Sequence, residues 1–112
     1  MIPPLPGEVH SGRLLRVRIR GMHAAALQFD VRVNDVAANL AEVEAGLRRA
    51  ADEALDLVVL PEMWPTSFVA DVGAHHVAES EAALAELAAW SRELGLVVSG
   101  SAYGPGEGLP SN

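Results

Sequence analysis

The residue best suited to chemistry is Glu62, which follows Pro61 at the end of the apolar run 57–60 in "DLVVLPEMWPTSF". A carboxylate there can accept a proton from a nucleophile or from water if it is held within reach. Leu60 is kept extended by the proline after it, and Pro61 fixes its own φ, so the exit from the run is stiff. With Met63, Trp64 and Phe68 alongside, the carboxylate is expected to be half walled and partly desolvated, which favours its protonated form and makes it a better base near neutrality. The alternative role is structural: Glu62 caps a loop amide or pairs with a surface arginine.

Gln28 and Asp30 close an earlier apolar run and would share an edge with Glu62. His75 and His76, with Glu79 after them, imitate a metal site, but a metal centre needs three or four converging ligands, so a solvated loop entering a helix is the expectation and no metal is predicted. Ser99 and Ser101 lack the G-x-S-x-G elbow of an activated serine and read as ordinary strand-end residues. The glycines at 100, 104, 106 and 108 form neither a dinucleotide fingerprint nor a phosphate loop, and the chain has no lysine to follow one. No cofactor is therefore predicted. With no cysteine, disulfides and thiolate chemistry are excluded within these residues.

These residues need elements to carry them. The small apolar run 24–29 reads as a buried strand. In "NDVAANLAEVEAGLRRAADEA", Val36, Leu40, Val43, Leu47, Ala51 and Ala54 recur at helical spacing behind a cap at Asn34 or Asp35. Residues 57–60 are consecutive branched aliphatics with no polar alternation, the pattern of a strand covered on both faces. A loop over 64–76 leads into a second helical pattern through Val77, Leu84, Leu87, Ala88 and Leu94, closed by Gly95 as a left-handed cap. "LVVSGSAY" is a third strand, and the tail after it is turn chemistry. Strand, helix, strand, helix, strand predicts an α/β protein with parallel strands joined by right-handed crossovers, and functional groups at the strands' carboxyl ends.

Residues 1–21 stand apart as a basic, Pro- and Gly-containing N-terminal extension, and 22–112 form the domain. Arg13, Arg16, Arg18 and Arg20 stand against Glu8 alone in the extension, which reads as an edge strand or a flexible tail, and the apolar strand that opens directly after Met22 makes that methionine a candidate start of translation. The net charge of −7 leaves the body acidic, so nucleic acid and anionic membranes are not expected partners. No apolar run suffices to cross a bilayer and the N-terminus lacks the form of a signal peptide, so a cytoplasmic location is expected.

"AALQFD", Asn39 in the first helix, "ADEALDLVVLPEMW", "LGLVVSGSAY" and the terminal Asn112 together resemble the N-terminal part of the carbon–nitrogen hydrolase family, the nitrilase superfamily. Gln28, Asn39 and the Pro61–Glu62 pair match the family's residues in those positions, and "LPEMWPTSF" looks closest to the amidase branches, although Ser67 stands where many of them have glycine. The resemblance implies the N-terminal part of a four-layer α-β-β-α sandwich and a glutamate–lysine–cysteine triad acting on a small-molecule amide or nitrile. Glu62 matches the glutamate. The family's lysine and cysteine come later than Asn112, and this sequence holds neither, so the 112 residues alone are expected to be inactive. Homodimers or larger assemblies are implied for the full-length enzyme.

Two other readings compete with the enzyme fragment. One is a non-catalytic scaffold that keeps the fold and binds a partner; the other is a stand-alone α/β binding domain of unrelated origin, which would fold cooperatively where a fragment would leave one sheet face bare.

Overall fold

The computed structural model describes residues 12–104. The proline-bearing start, most of the turn-rich tail and Asn112 lie outside those residues. The elements in chain order are β1 (Arg13–Ile19), β2 (Met22–Gln28), α1 (Val36–Asp52), β3 (Leu57–Val59), α2 (Ala74–Leu94) and β4 (Val97–Ser99).

The sheet order is β1-β2-β3-β4. The expected parallel arrangement holds for β2, β3 and β4, with Ala25 beside Val58 and Val58 beside Val98. The order β2-β3-β4 advances steadily in one direction, so crossovers of one hand carry both helices over the same face. Leu14, Ala25, Leu27 and Val58 from that face share one core cluster with Val43 and Leu47 of α1 and Ala83, Leu87 and Trp90 of α2.

Among the described residues the opposite face carries no helix. Leu15, Val17 and Ile19 of β1, Val59 of β3 and Val97 of β4 are all exposed there, from 43% at Val59 to 65% at Val97. The unbroken aliphatic run 57–60 is therefore not covered on both faces as its pattern predicts: among the described residues both helices pack on one side of the sheet and leave Val59 exposed on the other.

β1 pairs antiparallel with β2 from Arg13 opposite Gln28 to Ile19 opposite Met22. The turn between them is Arg20–Gly21, with φ of 49° and 81°. Positive φ at both central residues is what a tight hairpin needs to match strand twist, and Gly21 adopts it without steric cost. Leu14 enters the core, Arg16 makes a two-pronged pair with Glu53 beyond α1, and Arg49 of α1 donates to the Gly12 carbonyl at 2.8 Å. Of the two forms open to the basic segment, residues 13–19 take the edge strand.

α1 begins where Asp35 accepts the Ala38 N–H at 3.2 Å, and α2 ends at Gly95 with φ 66°, the left-handed cap expected of it. The start of α2 differs from the sequence expectation. It opens at Ala74, so His75 and His76 are helical and not in a solvated loop. His76 is buried: its Nδ1 accepts the Gly73 N–H at 2.8 Å and its Nε2 meets Asn34 Oδ1 at 3.0 Å. A ring that caps its own helix this way extends the helix backward, which apolar periodicity cannot reveal. The buried stripe of α2 is His76, Ser80, Ala83, Leu87 and Trp90, while Leu84 lies exposed.

Candidate functional site

β3 ends at Val59, and its last ladder contact is the Leu60 N–H to the Ser99 carbonyl at 2.8 Å. Pro61 has no N–H with which to continue, so the chain leaves the sheet here and presents Glu62 at the carboxyl edge. Glu62 is exposed. The residues expected to wall it do something else: Met63 and Trp64 turn into the core and are fully buried, and Phe68 points to solvent at 62% exposure. Met63, at φ 51°, makes the reversal that drives Trp64 downward, so the aromatic ring becomes the floor of the loop instead of a side wall.

The loop is held by partners from three regions. The Met63 N–H donates to Ser101 Oγ at 2.9 Å, and the Met63 carbonyl accepts from Ser67 N–H at 2.7 Å. The Thr66 carbonyl accepts from Asn34 N–H at 3.0 Å, and the Val69 N–H donates to the Tyr103 hydroxyl at 3.1 Å. Asn39, buried on α1, donates through Nδ2 to the Pro65 carbonyl at 2.8 Å and to the Arg32 carbonyl at 2.9 Å, and its Oδ1 accepts the Arg32 N–H. Buried loop backbone requires such partners, and here both backbone groups and the side chains of Asn39, Ser101 and Tyr103 supply them. Glu62 therefore stands exposed on a rigid mount.

Gln28 ends β2 on the same edge. A groove of about 400 Å³ runs from Ala26 and Gln28 past Val59 to Pro61, immediately before Glu62, and a second of about 390 Å³ lies between Arg13, Gln28 and Asp30. The strand edge thus brings Gln28, Asp30, Pro61 and Glu62 to one end of the sheet, as strand ends in α/β folds do. His75 and Glu79 are exposed on α2, and among the described residues no group of three or more His, Cys, Asp or Glu side chains is arranged to hold a metal ion. Nor is any helix among them long and apolar enough to cross a membrane.

Sequence reasoning took Ser101 for an ordinary strand-end residue and missed Tyr103, because their contacts are with backbone donors far away in the chain. Asn39 carried a readable signal: an amide between Val36, Leu40 and Val43 on the inward stripe of a helix must find buried partners.

A mixed sheet with helices on one face and an exposed carboxylate-bearing residue at its carboxyl edge puts the molecule among α/β proteins. More narrowly, the carbon–nitrogen hydrolase family model matches residues 23–108, and the chain belongs to that family. The matched stretch begins within β2, so β1 precedes it. No curated protein and no solved structure matches the chain.

Proposed function

We propose that this chain is the glutamate-bearing N-terminal part of an amidase-type carbon–nitrogen hydrolase, acting on a small-molecule amide or nitrile, with Glu62 as general base. The observation that carries the reading is the mounting of Glu62: an exposed carboxylate at the carboxyl edge, beside an open groove, on a loop whose backbone is fixed on both sides. A general base must stay within hydrogen-bond reach of its proton, so a fixed mount is what the chemistry requires.

The lysine and cysteine of the family's triad are absent from these 112 residues and would come from sequence that follows. In the complete site Glu62 would take the cysteine's proton as the sulfur attacks the amide carbon, the lysine would stabilise the tetrahedral oxyanion, and its collapse, with the proton passed on to nitrogen, would expel ammonia or an amine and leave a thioester. Water, deprotonated by the same carboxylate, would then release the acid. The reading carries with it no cofactor, no metal, no nucleic-acid or membrane partner, a cytoplasmic setting, and homo-oligomers of the full-length protein.

The test is the gene downstream of Asn112 and the product it encodes. An in-frame continuation bearing a lysine and a cysteine, and turnover abolished by Glu62→Gln with the circular dichroism spectrum unchanged, are the expected results. Hydrolysis by Glu62→Gln at the parental rate overturns the role of Glu62; an immediate stop codon favours a non-catalytic scaffold.

A further inference from the structure

The segment after β4 meets the Glu62 loop in an ordered way. Three loop donors, Leu60 N–H, Met63 N–H and Val69 N–H, find three acceptors on alternate residues: the Ser99 carbonyl at 2.8 Å, Ser101 Oγ at 2.9 Å and the Tyr103 hydroxyl at 3.1 Å. The first contact is ordinary sheet pairing. Past it, Pro61 offers no donor and Met63 adopts φ 51°, so backbone pairing cannot continue, and hydroxyl groups take over as acceptors. Glu62 lies between the first and second contacts.

Gly100 sits between the first two acceptors because the Trp64 indole presses against it; a Cβ built there would come within 2.9 Å of Trp64 Cδ1. Loop and segment are therefore in van der Waals contact as well as hydrogen bonded. Tyr103 is buried, so its hydroxyl is confined to the Val69 amide and does not swing in solvent.

We infer that Ser101 and Tyr103 are positioning residues for Glu62: Ser101 fixes the amide just after the carboxylate-bearing residue, and Tyr103 anchors the far end of the same loop. The inference rests on the reading of Glu62 as the working carboxylate, and it concerns the mount and not the proton transfer itself. Ser101 is the sharper of the two, because loss of its hydroxyl frees one backbone donor adjacent to Glu62 while Leu60 remains paired with Ser99.

The test uses this chain, with amide hydrogen exchange and side-chain carbon resonances followed by nuclear magnetic resonance. In Ser101→Ala the Met63 amide should exchange about 3- to 10-fold faster, the loss of one net hydrogen bond, and the Glu62 carboxyl resonance should move. The Arg32 amide, held by Asn39, should keep its protection. Ser101→Thr, which retains the hydroxyl, should restore both signals. Tyr103→Phe should release Val69 while leaving Met63 protected, and it carries the comparison if Ser101→Ala does not fold. Unchanged Met63 exchange in Ser101→Ala, or equal acceleration at Met63 and Arg32, overturns the inference. Neither result bears on whether Glu62 is catalytic, which Glu62→Gln decides separately.

Discussion

Asn39 and Pro65 belong to different layers of the molecule, yet the Asn39 Nδ2 reaches the Pro65 carbonyl at 2.8 Å while the rest of the same amide is occupied by the backbone of Arg32. One buried side chain thereby ties the loop after β2 to the loop after β3. Both candidate strand ends, Gln28 to Asp30 on one side and Pro61 to Glu62 on the other, are held in mutual position through it.

Replacing that amide should be expensive. Asn39→Ala would leave the Pro65 carbonyl and both Arg32 backbone groups without this partner, and Asn39→Asp would keep the shape but lose both donors and bury a charge. Each should lower unfolding free energy by about 3 kcal/mol in denaturant titration. A loss under about 1 kcal/mol would mean that water replaces the amide without cost.

Ser67 occupies the left-handed region, at φ 63°. A side chain in that conformation is strained, whereas glycine is not, although glycine also frees the unfolded chain. With the strain the larger quantity, Ser67→Gly should stabilise by roughly 0.5–1 kcal/mol, and Ser67→Val should destabilise by more than that. Thermal midpoints of the two variants, moving in opposite directions, would check it.

Gly46 inverts the usual expectation for a helix. Alanine ordinarily gains up to about 1 kcal/mol over glycine in a helix interior. At this site the added Cβ would lie 2.5 Å from Leu27 Cδ2, in the packed core. Overpacking of that kind costs about 1–3 kcal/mol, so Gly46→Ala should destabilise. Combined with Leu27→Val, the loss should be smaller than the sum of the two single changes, which a double-mutant cycle measures.

Acid should loosen the hairpin. The hydrogen-bonded Arg16 guanidinium holds the Glu53 carboxyl below its ordinary value. A depressed carboxylate contributes stability that is present above its unfolded-state value and is lost as pH falls through the lower, folded-state value. Glu53→Gln should therefore differ from the parent at neutral pH, converge with it in acid, and also converge at high salt because the pair is exposed. Amide exchange in β1 as a function of pH and salt reads this directly.

The strand–helix order, the cap at Asp35, the left-handed Gly95 and the edge position of Glu62 were all legible in the sequence, because each depends on local spacing or on one residue's backbone preference. Contacts across long separations were not. Nothing local to Ser101 indicates that its hydroxyl serves Met63, and His76 looked like loop because its capping contacts involve Gly73 and Asn34, not apolar spacing. The surroundings of Glu62 were misjudged for a related reason: the left-handed turn at Met63, which sends Trp64 inward, follows from the clamps around it and not from the residue type.

The two sides of β1 give opposite colloidal instructions. Arg16 and Arg18 line the helix side, and charge on an edge strand discourages edge-to-edge pairing. Leu15, Val17 and Ile19 line the other, continuous with Val59 and Val97 across the sheet. For the isolated chain the consequence is practical: association through that face would stabilise the folded state by mass action, making its melting temperature rise with protein concentration, so folding energies for these variants belong at matched, low concentrations.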